Sequence, residues 1–202
     1  KLNKNSLKGL RISVQGLGHV GTHLVDYLSK DGAEIYVTDI DKERVSKIVN
    51  KYNCIALKPD EILSQEVDIY APCALGATVN SKSIQSLNCK IVAGAANNVL
   101  KNPLNDSNAL VKKNILYAPD YVINAGGLIN VSNELEGYDK EKAFSQAEKI
   151  YDTLMSIFKR AKKESISTNQ AAALQAEDRI KKISTLKSFY LPYQKTFKIR
   201  ND

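Results

Sequence analysis

The chain has 202 residues, of which 43% are apolar and 25% are charged, and its formal net charge is +7. This composition is typical of a globular protein that buries a core, and it excludes disordered, collagen-like and disulfide-stapled chains. The length fits one or two domains.

The basic balance gives a pI near 9.2, which permits a nucleic acid or an acidic membrane surface as partner. The basic residues, however, are scattered in pairs such as Lys112-Lys113, and a solvated surface explains them better than a nucleic-acid footprint. No window approaches the roughly 18 apolar residues of a membrane span, and the N-terminus lacks the apolar core of a secretory signal. We therefore expect neither a nucleic-acid nor a membrane partner.

Cysteine and histidine are both sparse. Cys54, Cys73 and Cys89 form an odd set without C-x-x-C spacing, and His19 and His23 are the two histidines of the sequence. This argues against structural zinc, any other metal site and a disulfide framework. A reducing, cytoplasmic location is expected.

Residues 10–118 alternate short apolar runs with helix-like stretches, which is the pattern of parallel strands joined by crossover helices. Because the runs are apolar on both faces, helices should cover both sides of the sheet. The sequence thus predicts an α/β fold with a doubly wound parallel sheet and C-terminal helices. The predicted strands span 11–15, 34–38, 54–57, 67–71, 90–93 and 115–118. The predicted helices begin near Val20, Lys42, Asp60, Ser81 and Asp106.

Helices alone are predicted after Asn124. The glycine pair 126–127 introduces a helix to about Glu136, and Asp139 is placed to cap a longer helix that reaches roughly Lys163. That longer helix has apolar residues at steps of three and four, so one face should pack against the domain. A third helix should begin near Ser167 or Thr168. We expect a linker at 1–8, a dinucleotide-binding domain at 9–185 whose C-terminal helices span 127–183, and a tail at 186–202.

A glycine-rich loop, Gly16-Leu17-Gly18-His19-Val20-Gly21, follows the first predicted strand and opens the first helix. Gly16 permits a tight turn, Gly18 allows the backbone to approach a pyrophosphate, and Gly21 allows close packing of helix on strand. The helix N-terminus offers free N–H groups and a partial positive charge to the phosphate oxygens. We assign all six residues to a dinucleotide site.

Asp39 ends the second predicted strand, 23 residues after Gly16, near the spacing expected for a ribose-binding acid. A carboxylate there accepts hydrogen bonds from the ribose hydroxyls and repels a 2′-phosphate, which favours NAD over NADP. Ile40, next in the chain, is assigned to the same site. Two alternatives stay open: Asp39 is a helix N-cap beside a plain turn, or Lys42 and Arg44 admit the phosphate of NADP.

Three segments carry a family resemblance: VDIYAPCALGATVN at 67–80, AGAANN at 93–98 and YAPDYVINAGG at 117–127. They resemble the C-terminal, NAD-binding (Rossmann) domain of the glutamate/leucine/phenylalanine/valine dehydrogenases, and the leucine dehydrogenases are the most similar members. The likeness extends over about residues 9–183 and includes NELEGY at 133–138. A methyltransferase, which also binds an adenosine cofactor at a glycine loop, is disfavoured by Gly21 and by these segments.

The resemblance implies roles on the nicotinamide side of the cofactor. Cys73 and Ala74 would line the wall beside the nicotinamide ribose, and Asn97 and Asn124 would bind the carboxamide, with which an amide can both donate and accept. Either asparagine is alternatively a turn residue bonded to its own backbone. Cys73 is interpreted as wall and not as nucleophile, because no histidine can be placed beside it.

The resemblance also assigns Asn98, Leu128 and Val131 to the substrate. Leu128 and Val131 lie one helical turn apart, so both can face the substrate end of the crevice. Two apolar side chains suit a branched aliphatic amino acid and offer nothing to a γ-carboxylate. Phenylalanine and valine remain open as substrates, and plain packing of an amphipathic helix is the structural alternative.

The activity implied is reversible, NAD-dependent oxidative deamination of a leucine-like L-amino acid to its 2-oxo acid. In this family the catalytic lysines and aspartate belong to a separate N-terminal domain, and we find no counterpart ahead of the glycine loop. The chain should therefore carry no catalytic residue and should be inactive without that partner domain. The resemblance also implies that the enzyme is a homo-oligomer. The alternative is an independent NAD-binding module without catalysis.

The tail places four aromatic residues among lysines, a mixture that is compatible with stacking on a nucleic acid. Irregular spacing around Pro192 favours docking on another surface of the same enzyme, and this is our expectation for 186–202.

Overall fold

The computed structural model describes residues 1–135 and 137–187. The predicted tail therefore lies outside the described residues from position 188 onward, as does Glu136. The strands are β1 (Arg11–Gln15), β2 (Glu34–Thr38), β3 (Ile55–Ala56), β4 (Ile69–Pro72), β5 (Ile91–Val92) and β6 (Leu116–Tyr117). The helices are α1 (His19–Lys30), α2 (Lys42–Tyr52), α3 (Ser83–Ser86), α4 (Pro103–Lys112), α5 (Asp120–Ile123), α6 (Gly126–Leu135), α7 (Lys140–Glu164) and α8 (Thr168–Lys187).

The six strands form one parallel sheet in the order β3-β2-β1-β4-β5-β6. The chain runs outward from β1 to β3, then returns to the other side of β1 and runs outward again. With right-handed crossovers, these two halves place their helices on opposite faces of the sheet. The doubly wound α/β fold predicted from the sequence is confirmed.

Each half of the sheet has its own buried cluster. The first joins β1 and β2 to α1 and α2 through residues such as Val14, Val25 and Ile48. The second surrounds β4, β5 and β6 and includes the fully buried Tyr70 and Leu110. The boundary between the two halves, between β1 and β4, is where the strand order reverses and a crevice opens.

The C-terminal helices pack as the periodicity predicts. Ile157 and Ala161 of α7 are buried against Ala171 and Ala172 of α8. Thr168, at the start of α8, donates from Oγ1 to the carbonyl of Tyr117 over 2.6 Å, which fixes α8 to the edge strand β6. Asp139 caps α7 as predicted, since its side chain accepts from the Lys142 N–H.

The helix predicted near Asp60 is wrong, because the chain forms turns there. Ile62 alone of this segment is fully anchored, with 1% of its surface exposed, and a single anchor cannot orient an amphipathic helix. The short helix α5 was not predicted, since four residues carry no periodic signal. None of the described helices is long and apolar enough to cross a membrane.

Candidate functional site

The crevice lies at the carboxyl ends of β1, β2 and β4. It is a cleft of about 430 Å³, a size that suits part of an extended cofactor. Its walls come from the glycine loop, the end of β2 and the segment after β4. Its lining residues include Gly16, Gly18, Asp39, Ile40, Cys73 and Ala74 from the predicted site, together with Gln15, Thr38, Arg44, Pro59, Leu75 and Thr78.

The glycines of the loop have three different environments. Gly16 has φ +99°, and a Cβ on it would lie 2.6 Å from the Cβ of Ala74. A Cβ on Gly21 would lie 2.0 Å from the carbonyl oxygen of Gly16, so α1 packs too closely on the loop for any side chain. A Cβ on Gly18 meets nothing within 4 Å, which leaves the space above its backbone open for a ligand. The loop fits a pyrophosphate approaching at Gly18.

The remaining loop residues anchor or border this backbone. The Leu17 side chain is buried in the core, and the Leu17 carbonyl accepts from Thr22 Oγ1 over 2.9 Å, which holds the loop against α1. His19 and Val20, the first two residues of α1, are exposed. Neither residue is among those that line the cleft, so the structure does not bring their side chains into the predicted site.

Asp39 is the acidic residue of the cleft lining, and both of its carboxylate oxygens accept hydrogen bonds. Its Oδ2 accepts from the Leu17 N–H over 2.6 Å, and its Oδ1 accepts from the Asp41 N–H over 2.9 Å. Arg44 Nη1 lies 3.5 Å from Oδ2. Burial opposes ionisation, but the two N–H groups and then the Arg44 guanidinium outweigh it, so the pKa of Asp39 is lowered. The carboxylate is thus held ionised beside the glycine loop.

The N-cap alternative for Asp39 is not what the structure contains. Asp41 caps α2 instead, because its side chain accepts from the Arg44 N–H over 3.1 Å. Asp39 is therefore free of that role. It joins β2 to the glycine loop, a bond between residues 22 positions apart.

Two exposed apolar side chains flank the cleft near Asp39. Ile40 is 93% exposed and Leu75 is 81% exposed, and both contribute to the lining. The sequence did not predict five of the lining residues: Gln15, Thr38, Pro59, Leu75 and Thr78. Leu75 and Thr78 lie inside the segment that carries the resemblance, so position in that segment was a usable signal, whereas Pro59 follows β3 in a turn that periodicity did not predict.

Cys73 lies in the wall of the cleft. Burial raises the pKa of its thiol, and a hydrogen bond with the Ala95 backbone opposes this effect only in part. A thiol with a raised pKa is a poor nucleophile near neutral pH. Burial also raises the pKa of Cys54 to about 11 and that of Cys89 to about 12. The described residues form no group of three or more His, Cys, Asp or Glu side chains that could hold a metal ion.

Asn97 and Asn124 are brought together although 27 residues separate them. Asn124 Nδ2 donates to Asn97 Oδ1 over 2.6 Å. Asn98, beside them, has φ +52° and is exposed. The pair stands at the carboxyl ends of β5 and β6, on the same edge of the sheet as the glycine loop. The turn interpretation does not hold, because Asn124 Nδ2 bonds the Asn97 side chain and lies 3.4 Å from the carbonyl oxygens of Ala95 and Ala96, on a distant segment.

Leu128 and Val131 lie on the outward face of α6. They are 74% and 53% exposed, whereas Asn133 on the opposite face is buried and donates from Nδ2 to Gln146 of α7 over 2.7 Å. Plain core packing therefore does not account for the two apolar side chains. They remain candidates for a surface that contacts a ligand or another domain.

The sequence is similar to those of known amino-acid dehydrogenases. The family model described as glutamate/leucine/phenylalanine/valine dehydrogenase matches residues 34–187. An L-tryptophan dehydrogenase of Nostoc punctiforme is 50% identical over 182 residues, which are 90% of this chain and 52% of that protein. A leucine dehydrogenase of Bacillus cereus is 46% identical over 187 residues, 93% of this chain and 51% of that protein.

A solved structure is similar as well. The crystal structure of L-tryptophan dehydrogenase from Nostoc punctiforme aligns with a TM-score of 0.88 at 48% identity, covering 90% of this chain and 55% of that one. The chain thus spans about half the length of the curated relatives that it matches.

Proposed function

The chain belongs to the glutamate/leucine/phenylalanine/valine dehydrogenase family, and we propose that it is the NAD-binding half of an amino-acid dehydrogenase. Its reaction is the reversible oxidative deamination of an L-amino acid with an apolar side chain to the 2-oxo acid. When bound, the nicotinamide supplies a hydride acceptor. This chain's residues bind and orient that cofactor, and a separate domain supplies the catalytic lysines.

The carboxylate of Asp39 carries the preference for NAD. It is ionised, faces the cleft and is fixed on both oxygens by backbone N–H groups, so it cannot easily turn away from an incoming phosphate. A 2′-phosphate placed there meets a negative charge, whereas ribose hydroxyls meet an acceptor. Arg44 is already paired with Asp39 and Asp41, which reduces its capacity to bind the phosphate of NADP.

The remaining cofactor assignments follow the length of the dinucleotide. Gly16, Gly18 and Gly21 form the pyrophosphate loop with the backbone of Leu17, His19 and Val20. The adenosine end lies beside Asp39 and Ile40, and the nicotinamide ribose passes Cys73 and Ala74. Asn97 and Asn124 take the carboxamide, which requires that it exchange with or join their mutual hydrogen bond.

For the substrate we propose a branched aliphatic amino acid that contacts Leu128 and Val131, with Asn98 near its polar end. Both side chains are exposed, as a wall that awaits a ligand or a facing domain must be. Tryptophan is the second candidate, because the relative with 50% identity is an L-tryptophan dehydrogenase. An indole would bury more apolar surface on the same two residues.

The first test is cofactor binding by the 202-residue chain. Isothermal titration should give a Kd for NAD at least tenfold below that for NADP. Equal affinity for both would contradict the assignment of Asp39.

The second test is catalysis. The chain alone should give no NADH signal at 340 nm with leucine or tryptophan, because the separate domain supplies the catalytic lysines that must lie within reach of the substrate. Addition of a lysine-bearing N-terminal domain from a relative should restore turnover with leucine. Turnover with tryptophan alone would select the second candidate. NAD binding without turnover with any amino acid, even with several such domains, would favour the non-catalytic module.

A further inference from the structure

A buried carboxylate, Asp120, stands at the start of α5 and has no part in the cofactor contacts proposed above. Only 8% of Asp120 is exposed, and among the described residues no lysine or arginine pairs with it. Burial of a carboxylate without a counter-ion is costly unless hydrogen bonds replace the lost water. The bonds that Asp120 makes should therefore be important to the site around it.

Those bonds go to the backbone on both sides. Asp120 Oδ2 accepts from the Val99 N–H over 2.8 Å, and Oδ1 accepts from the Tyr121 N–H over 2.9 Å. Its own N–H donates to the Tyr117 hydroxyl over 3.1 Å. The carboxylate thus links the loop after β5 to the first turn of α5, across 21 positions of sequence.

This link spans the two amides assigned to the nicotinamide. Asn97 lies two residues before Val99, and Asn124 follows α5, where its N–H donates to the Asp120 carbonyl over 3.0 Å. The 2.6 Å bond from Asn124 Nδ2 to Asn97 Oδ1 closes a ring of contacts. Asn124 Nδ2 also lies 3.4 Å from the carbonyl oxygens of Ala95 and Ala96, so the Asp120 carboxylate is one of several links between the two backbones that carry the amides.

The opposite side of the same loop is held by the segment after β4. Ala77 donates to the Asn98 carbonyl over 2.7 Å, and Val79 donates to the Val99 carbonyl over 3.0 Å. The carbonyl and the N–H of Val99 are therefore both engaged, one towards β4 and the other towards α5. Loss of the Asp120 bond would leave the loop attached to the fold while releasing it from α5.

We propose that Asp120 is a positioning residue for the nicotinamide end of the cofactor. This inference rests on the proposed function and extends it: Asp120 touches no ligand, but it holds Asn97 and Asn124 at the separation that the carboxamide requires. Small displacements of groups that orient a reactant have large effects on its binding and reaction. The adenosine end lies beside Asp39, which follows β2 in the other half of the sheet. Its binding should not respond to a change at Asp120.

The test compares NADH with ADP-ribose, a probe that lacks the nicotinamide, on the full 202-residue chain. Asp120→Asn keeps the shape of the side chain but offers one acceptor to two N–H donors. We expect it to weaken NADH binding about tenfold, the loss of roughly one charge-assisted bond, and to leave ADP-ribose binding within about twofold of wild type. The fluorescence gain of bound NADH should fall in parallel.

Asp68→Asn is the control for a general loss of stability. Asp68 is likewise 8% exposed and accepts a backbone N–H, that of Arg11, over 3.0 Å, but it also pairs with Lys90 Nζ over 2.8 Å and precedes β4 at the opposite edge of the sheet. It should change thermal stability without changing the ratio of the two affinities. A second variant, Asp120→Ala, removes both acceptors and should bring the Kd for NADH close to the Kd for ADP-ribose.

Binding of ADP-ribose also reports folding, so each outcome is decisive. Unchanged NADH selectivity in Asp120→Asn and Asp120→Ala would overturn the positioning role alone. Loss of ADP-ribose binding in both variants would also overturn it, since Asp120 would then support the whole domain. Failure of the wild-type chain to bind either probe would instead reject the proposed function, and this inference with it.

Discussion

The Asp39 carboxylate accepts the backbone N–H of Leu17 over 2.6 Å, so the acid at the end of β2 and the glycine loop after β1 form one unit. This bond fixes both the position of the loop backbone and the direction of the carboxylate. A carboxylate that accepts a backbone N–H forms a stronger hydrogen bond than a neutral acceptor does. A substitution of Asp39 should therefore alter the loop geometry and the proposed cofactor selectivity together.

Replacement of Asp39 by Asn should narrow the discrimination between cofactors. The repulsion of a 2′-phosphate is removed and Arg44 is released from one of its two acidic partners, so NADP binding should improve. NAD binding should weaken by roughly tenfold, because the ribose hydroxyls lose a charged acceptor. Titration calorimetry with both cofactors measures this change. Asp31→Asn, an exposed carboxylate at the far end of α1, is the control and should leave both constants unchanged.

Asp39 should also contribute to the pH dependence of folding. Its pKa is lowered in the folded chain, whereas the pKa of an aspartate in the unfolded chain is about 3.9. Its contribution is therefore fully present above about pH 4 and is lost as pH falls through the lower folded value. Urea unfolding of wild type and Asp39→Asn should differ at pH 6, and the difference should shrink towards pH 3. A difference that grew on acidification would contradict the direction of this pKa shift.

Substitutions of Gly18 and Gly21 should have different effects, one on NAD affinity and the other on the stability of the fold. Gly21→Ala forces a Cβ to within 2.0 Å of the Gly16 carbonyl oxygen, and overpacking of this kind costs about 3 kcal/mol or more, roughly 10 °C in Tm. Gly18→Ala meets nothing within 4 Å and should keep its Tm while losing NAD affinity. Gly127→Ala, also in open space, is the control for both. Equal Tm values for the two loop variants would contradict the packing argument.

The sequence predicted those parts of the fold that depend on the local pattern of apolar residues. All six strands lie within or beside the predicted runs, because short buried strands between turn residues leave a clear apolar signal. Asp41 rather than Asp39 caps α2. Because both residues are aspartates that follow β2 closely, residue type alone could not predict which of them caps the helix. The distinction depends on the position of the Leu17 N–H, which only the folded loop defines.

The sequence pattern did not predict the contacts between distant segments of the chain. The close approach of Gly16 to Ala74 follows from the pairing of β1 with β4 and from the path of the chain after Pro72. The Asn97–Asn124 bond likewise requires that β5 and β6 be neighbours. The resemblance predicted a cofactor role for these asparagines. Asp120, which bonds the backbone beside Asn97, carried no signal of its own, because buried aspartates also serve as ordinary helix starts.

Leu128 should influence substrate choice when a lysine-bearing domain is supplied. Leu128→Ala removes apolar contact from an exposed wall and should lower kcat/KM for leucine by roughly tenfold relative to that for alanine. Leu104→Ala is the control, since Leu104 on α4 is 53% exposed yet lies away from α6. If both variants reduced leucine turnover equally, Leu128 would have no specific role in the substrate site.

Cys73 should be chemically quiet despite its place in the cleft wall. Burial raises the pKa of its thiol, so little thiolate exists at pH 8, and thiolate is the species that attacks iodoacetamide. Mass spectrometry of the native chain at pH 8 should show slow alkylation of Cys73, and unfolding in urea should make all three cysteines react rapidly. Cys73→Ser, which keeps a small side chain in the wall, should bind NADH with unchanged affinity. Rapid alkylation of Cys73 in the folded chain, or loss of NADH binding in the serine variant, would show that this thiol does more than border the cofactor.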